Sequence, residues 1–231
     1  MVHDAQDRTI EDLIKIVARL RDPQTGCPWD KVQTHHSIRK NLLEEAYEVA
    51  DAIDLEDAAL LQEELGDVLL QIVFHAQIEN EKGVFSFDDV CKGICEKLIL
   101  RHPHIFAQEK ADTQEQVLKN WDAIKRIEKQ RETLQDDLKD VPAALPALMR
   151  AQKLQKRALH HGVGIAQEKQ AFACLQDSMK ALEQANDSQK EALLGQVLFA
   201  VAGYARFLDL DAEQALEHAN NAFISAALRQ E

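Results

Sequence analysis

Apolar positions recur at helical spacing along almost the whole chain. After Thr9, the residues Ile10, Leu13, Ile14, Ile16, Val17 and Leu20 fall on one face at a period of 3.6. Asp12, three residues after Thr9, completes a capping box. The pattern predicts a helix that stops near Asp22-Pro23. The loop 22–34, DPQTGCPWDKVQT, holds two prolines, a glycine and a tryptophan. A second helix is predicted over 37–54 and a third over 56–81, with Gly83 as its C-terminal stop. Only two or three residues join them, so they should form an antiparallel hairpin. A fourth helix covers 87–100, ahead of Arg101-His102-Pro103-His104. Thr113 with Gln116 opens a fifth, highly charged helix running to about Asp136. The stretch 137–146, DLKDVPAALP, reads as a linker, and helices follow at 147–159, 168–185, 188–208 and 211–229. No convincing β-strand pattern is present, so the expected class is all-α.

Composition supports this reading. Aromatics make up 5% of the 231 residues, and there are only 8 glycines and 5 prolines. A sandwich or barrel needs more turns than that. The length allows one or two domains with real cores. Hydrophobic residues at 45% against 29% charged place the chain among folding sequences. The net charge of −13 is unevenly spread: residues 1–140 carry 30 acids and 18 bases, and residues 141–231 carry 10 and 9. A nucleic-acid binder usually carries a basic footprint, so that class is disfavoured. An acidic surface meets a polyanion through cations. The four cysteines form no CxxC pair, and Cys91 and Cys95 share a helical face as small core residues. The N-terminus MVHDAQDRTIEDL has no apolar signal core, and no run approaches 18 apolar residues. The expectation is no membrane span, and a cytoplasmic location.

The candidate chemistry lies on the hairpin. Glu45 and Glu48 lie three apart on the second helix, and Glu64 and Asp67 lie three apart on the third. Residues at that spacing are neighbours on a helix surface. Apolar positions flank both pairs, which puts the acids at the border of the packed face. Glu48 comes six residues before Asp54 and Glu64 eight after Glu56, so folding the hairpin brings the pairs to similar depth. Four like charges that close need compensation. Oxygen-only ligands suit a hard cation, with Mg²⁺ first and Mn²⁺ as substitute. A di-iron carboxylate site would need Glu-x-x-His motifs, and neither helix has one. His75, two turns past Asp67, reads as a core or interface histidine. Gly66 costs about 1 kcal/mol inside a helix relative to alanine, which suggests that it lets the facing helix approach.

E-x-x-E followed on the next helix by E-x-x-D resembles the MazG-like, all-α nucleoside triphosphate pyrophosphohydrolases. The similarity extends to GCPWDKVQT at 26–34, EEAYE at 44–48, EELGD at 63–67, RHPHIF at 101–106 and NWDAIK at 120–125. LPALMRAQK at 145–153 resembles the start of that family's second domain. The resemblance implies Mg²⁺-dependent hydrolysis of nucleoside triphosphates to monophosphate and pyrophosphate, for nucleotide house-cleaning. It implies Glu45, Glu48, Glu64 and Asp67 as metal ligands, with Glu45 and Glu44 in the catalytic role and Glu44 as a support or general base. Lys31, Arg39, Lys40, Arg101 and Lys125 are candidates to hold phosphates. Trp29 and Trp121 are candidates to stack on a base or to pack in the core. A homodimer is implied too. Rival readings are a narrower dUTP- or dCTP-type pyrophosphatase, or a non-enzymatic helical interaction protein.

The second half departs from the family pattern. GQVLFAVAGYA at 195–205 repeats the register of GDVLLQIVFHA at 66–76. Aligning Gly195 on Gly66 puts Leu193 where Glu64 stands and Gln196 where Asp67 stands. The preceding helix offers no E-x-x-E. The expectation is therefore two tandem helical domains: a metal-competent one over 1–136 and, after the linker, a degenerate one over 147–231 that contributes dimerisation or scaffolding.

Overall fold

A computed structural model describes residues 8–107, 113–128 and 133–229. The described residues form α-helices with two short 3-10 turns and no strand. The chain divides into two compact units, Met1–Thr113 and Gln114–Glu231.

The first unit begins with α1 (Ile10–Leu20), opened by the expected Thr9–Asp12 capping box. The following loop turns tightly, with Asp22 Oδ1 accepting from the backbone N–H groups of Gln24 and Thr25 and from the Thr25 hydroxyl. A Cβ at Gly26 would lie 2.4 Å from the Leu20 carbonyl oxygen, so only glycine lets the loop close over the end of α1. A 3-10 turn at Asp30–Val32 leads into α2 (His35–Asp54), where Thr34 accepts from the Ser37 N–H as N-cap. The chain reverses at residues 55–57, with Glu56 in the left-handed region at φ 55°. Asp57 then caps α3 (Ala58–Glu81), and Gly83, at φ 69°, ends it. α4 (Phe87–Arg101) starts from a Ser86–Asp89 capping box, and the single turn α5 (Pro103–Phe106) follows.

The core of this unit gathers Val17, Ile38, Val73, Phe74 and Ile78, with Ile10, Leu13, Ile14, Leu70 and Phe87 around it. It therefore lies between α1, the first turn of α2 and the second half of α3. The other half of the hairpin contributes no residue to this cluster. There Leu43, Tyr47, Leu65 and Leu69 remain exposed, Tyr47 by 57% and Leu65 by 52%.

The second unit contains α6 (Gln114–Glu128), α7 (Leu134–Lys139), α8 (Ala147–His160), α9 (Glu168–Glu183), α10 (Lys190–Ala205) and α11 (Ala212–Leu228). The long fifth helix expected to Asp136 is two elements: α6 extends to Glu128, and α7 begins from its own Thr133–Asp136 capping box. Residues 129–132 lie outside the described residues. The stretch 137–146 is anchored. Asp137 is 1% exposed and accepts from His161 Nε2 at 2.7 Å, and Val141 is buried. Ala151, Ala202 and Ala212 form the small core where α8, α10 and α11 meet. No apolar run reaches 18 residues, as the sequence indicates; the helical stretch Lys190–Leu208 is long and apolar enough by length and average composition alone, and Lys190, Glu191, Gln196 and Arg206 interrupt it. This helix carries Lys190 and Glu191 in its first turn and packs on α8 and α9 within its unit.

Candidate metal centre

The α2–α3 hairpin brings Glu45, Glu48 and Glu64 together, with one oxygen from each within 4.8 Å of the others. Helical spacing stacks Glu45 under Glu48 on α2, and the three-residue reversal sets Glu64 at the same depth on α3. Asp67, one turn further along α3, is half-buried outside that tight group. Its charge still reaches Glu45. Burial, then the charges of Asp67 and Glu48, hold the Glu45 carboxyl above its ordinary value. Burial, followed by Glu48 and Glu63, does the same for Glu64. Both shifts include a contribution from Glu48, the carboxylate that lies within 4.8 Å of each. The donor set is all oxygen. Among the described residues no second cluster of three potential ligand side chains occurs. These residues therefore fit a hard divalent cation, which would relieve the repulsion that raises both carboxyls.

The remaining site candidates are spread more widely. Glu44 is exposed on α2 beside Glu45, and Arg39 and Lys40 are exposed a little over one turn earlier on the same helix. Lys31 is half-buried in the 3-10 turn, while Trp29 before it is 57% exposed. Arg101 is half-buried in the last turn of α4. Trp121 and Lys125 are half-buried on α6, in the second unit. Gly66 does not serve the close helix approach expected of it, because a Cβ there meets nothing within 4 Å. The hairpin reverses tightly without it, and the face at Gly66 is open.

Two arrangements near the hairpin escaped the sequence reading. Arg21, 6% exposed, grips Glu81 through Nε at 2.7 Å and a second nitrogen at 2.9 Å. It also donates to the Asp30 and Gln33 carbonyls and lies over the Phe74 ring, so it ties loop 22–34 to α3. The only sequence signal was its position four residues after Val17, on the buried stripe of α1. The second arrangement is His35 meeting His75 edge to edge, their ring nitrogens 2.7 Å apart and their planes 7° from parallel. Here the sequence offers no signal, since the partners are 40 residues apart.

In the second unit, α9 and α10 make a comparable hairpin without the acids. Leu193 is half-buried and Gln196 exposed at the aligned positions. The face holds an apolar cavity of about 780 Å³, lined by Cys174, Ala192, Gly195, Phe199 and others, with Arg206 at its edge.

The profile of the MazG nucleotide pyrophosphohydrolase domain matches residues 33–106, which contain α2 through α5 and all four acids. The chain is 44% identical over 221 residues to a nucleoside triphosphate pyrophosphohydrolase of Escherichia coli strain K12, covering 93% of this chain and 84% of that protein. It is 37% identical over 222 residues to the nucleoside triphosphate pyrophosphohydrolase/pyrophosphatase MazG of Thermotoga maritima, covering 96% and 85%. The chain belongs to the MazG family. Its all-helical architecture agrees with that membership. The match to full-length MazG relatives runs through both units, although the acid-bearing segment belongs to the first alone.

Proposed function

We propose that this chain hydrolyses nucleoside triphosphates to the monophosphate and pyrophosphate, as a house-cleaning enzyme, at the Glu45–Glu48–Glu64–Asp67 cluster. The observation that carries the reading is the approach of Glu45, Glu48 and Glu64 within 4.8 Å on adjacent helices. The activity for which the MazG relatives are named supports the substrate class. Glu45, Glu48 and Glu64, with Asp67 at the edge, would hold Mg²⁺, for which Mn²⁺ substitutes. The cation supplies charge neutralisation for the triphosphate and a polarised α-phosphorus.

The chain's own residues do the rest. Glu44 accepts a proton from the attacking water. The new P–O bond forms at the α-phosphorus, and the bridging bond to the β-phosphate breaks, releasing pyrophosphate. Lys31, Arg39, Lys40 and Arg101 are the cations assigned to the phosphates, with Lys125 and Trp121 as further contributors to phosphate and base. The second hairpin holds no metal, because leucine cannot ligate and a neutral glutamine cannot restore the charge.

The domain reading stays with a catalytic part over 1–136, a linker over 137–146 and a degenerate part over 147–231. A homodimer supports the site. Exposed Leu43, Tyr47, Leu65 and Leu69 lie on the acid-bearing half of the hairpin, which contributes no residue to the core cluster. The acidic balance argues against nucleic-acid partners, and no membrane role is assigned to α10. The assay that tests the reading is pyrophosphate release across a panel of canonical and damaged NTPs and dNTPs, with and without Mg²⁺. Metal-dependent release is expected. A helical scaffold would release none, and release from dUTP or dCTP alone would mark the narrower enzyme.

A further inference from the structure

The start of α2 is fixed to the end of α3 by two histidines. His35, the first residue of α2, has Nδ1 2.7 Å from His75 Nδ1 and Nε2 2.6 Å from Glu79 Oε1. Lys82 and His35 together hold the Glu79 carboxyl below its ordinary value, so it is ionised and can only accept. His35 Nε2 is therefore the N–H donor to Glu79. A neutral His35 then has a bare Nδ1, and His75 must donate to it from its own Nδ1. That leaves His75 Nε2 as a lone pair, and this atom is buried without a hydrogen-bond partner among the described residues. An unpaired acceptor is tolerated there better than an unpaired N–H.

We propose that His35 and His75 form a pH-sensitive clasp seating α2 on α3, closed while at most one imidazole is protonated and opened when both are. A first proton on His35 reverses the shared bond and forces an N–H onto the buried Nε2 of His75. A second sets two N–H groups against each other at 2.7 Å between two edge-to-edge cations. His35 is 38% exposed, while Nε2 of His75 is buried. Burial, with the charge of His35, holds the His75 pKa below 6.5.

The other charged groups around this end of the hairpin are committed elsewhere or exposed. Arg21, at the end of α1, is bound to Glu81. On α4, Asp89 caps its own helix through Ser86, and Asp88 beside it is exposed. His36 on α2 is exposed, and Lys82 on α3 is bonded to Glu79.

A depressed folded-state pKa means that the unfolded chain binds more protons between that value and 6.5. The clasp's stabilisation is complete above 6.5 and is lost as pH falls through the folded-state value. One proton corresponds to about a ten-fold change in the unfolding constant per pH unit inside that window.

Two measurements test the clasp. In ¹⁵N-histidine-labelled wild-type protein at neutral pH, ¹H–¹⁵N correlation spectra should show the Nε2–H tautomer for His35 and the rarer Nδ1–H tautomer for His75. Nε2–H tautomers at both would overturn it, with no variant needed. In urea unfolding below pH 6.5, the wild-type constant should rise by up to about ten-fold more per pH unit than that of His75→Phe, whose ring does not titrate. Parallel pH profiles would overturn it too. The clasp stands apart from the proposed hydrolysis: failure to release pyrophosphate would defeat that reading and leave both measurements decisive for this one.

Discussion

The α2–α3 and α9–α10 hairpins use the same backbone solution for different ends. Each pairs two antiparallel helices through a short reversal, and each carries a glycine in its second helix, Gly66 in one and Gly195 in the other. At the border of the first, Glu45, Glu48 and Glu64 converge, and burial together with the neighbouring acids raises the Glu45 and Glu64 carboxyls. At the border of the second stand Leu193 and Gln196, beside an apolar cavity. Helix pairing in this fold therefore needs none of the carboxylates. The acids are an addition that costs electrostatic repulsion and repays it only in the presence of a cation. On the proposed reading, the chemistry is set by four positions on the scaffold, not by the scaffold.

The contrast can be broken most severely at the acids. Glu64→Ala should lower pyrophosphate release at least about 100-fold, because the second hairpin offers no replacement site. Substantial residual turnover would place the chemistry elsewhere.

Arg21→Met removes the guanidinium that joins loop 22–34 to Glu81, and should cost about 2–3 kcal/mol in urea unfolding. A loss no larger than that of an exposed substitution would show that the pair contributes little.

Glu45→Gln should separate stability from function. The Glu45 carboxyl is raised in the folded state, so its ionisation opposes folding as pH rises from the ordinary carboxylate value through the folded one. At neutral pH without metal, the variant should melt slightly higher than wild type, while losing the stabilisation that added Mg²⁺ gives the wild type. A lower melting temperature would show that the repulsion is already relieved.

Gly66→Ala has open space for its methyl group and should stabilise the metal-free protein by about 0.5–1 kcal/mol. A loss of stability would reveal a neighbour there in the assembled protein.

Smallest of all should be the effect of Leu193→Glu with Gln196→Asp. Turnover should not change, since α9 still lacks its acid pair. A gain would mean that the second hairpin sits one step from competence.

Helical periodicity and short-range caps were legible in the sequence because both are local. The Thr9–Asp12 box, the Gly83 stop and the depth match of Glu48 with Glu64 each follow from spacing within one or two helices. The division between α6 and α7 was written as well, in the Thr133–Asp136 box, but the charged run around it continues the helical pattern and hides the stop. Gly66 was misjudged, since a helix propensity cost says that a reason exists without saying which. Arg21–Glu81 and His35–His75 were out of reach because their partners lie 60 and 40 residues away. Nothing in local spacing encodes a long-range polar pair. The four acids were legible as a constellation, while the position of Asp67 outside the tight group depends on side-chain directions that spacing alone does not fix.

Isothermal titration of Mn²⁺ into wild-type protein and Glu48→Gln, at neutral pH and without nucleotide, tests the shared-cation claim most directly. The account predicts saturable binding by the wild type and its loss in the variant, whose neutral amide takes the place of the carboxylate that lies within 4.8 Å of both Glu45 and Glu64. Equal binding by the two proteins, or none by the wild type, would contradict it.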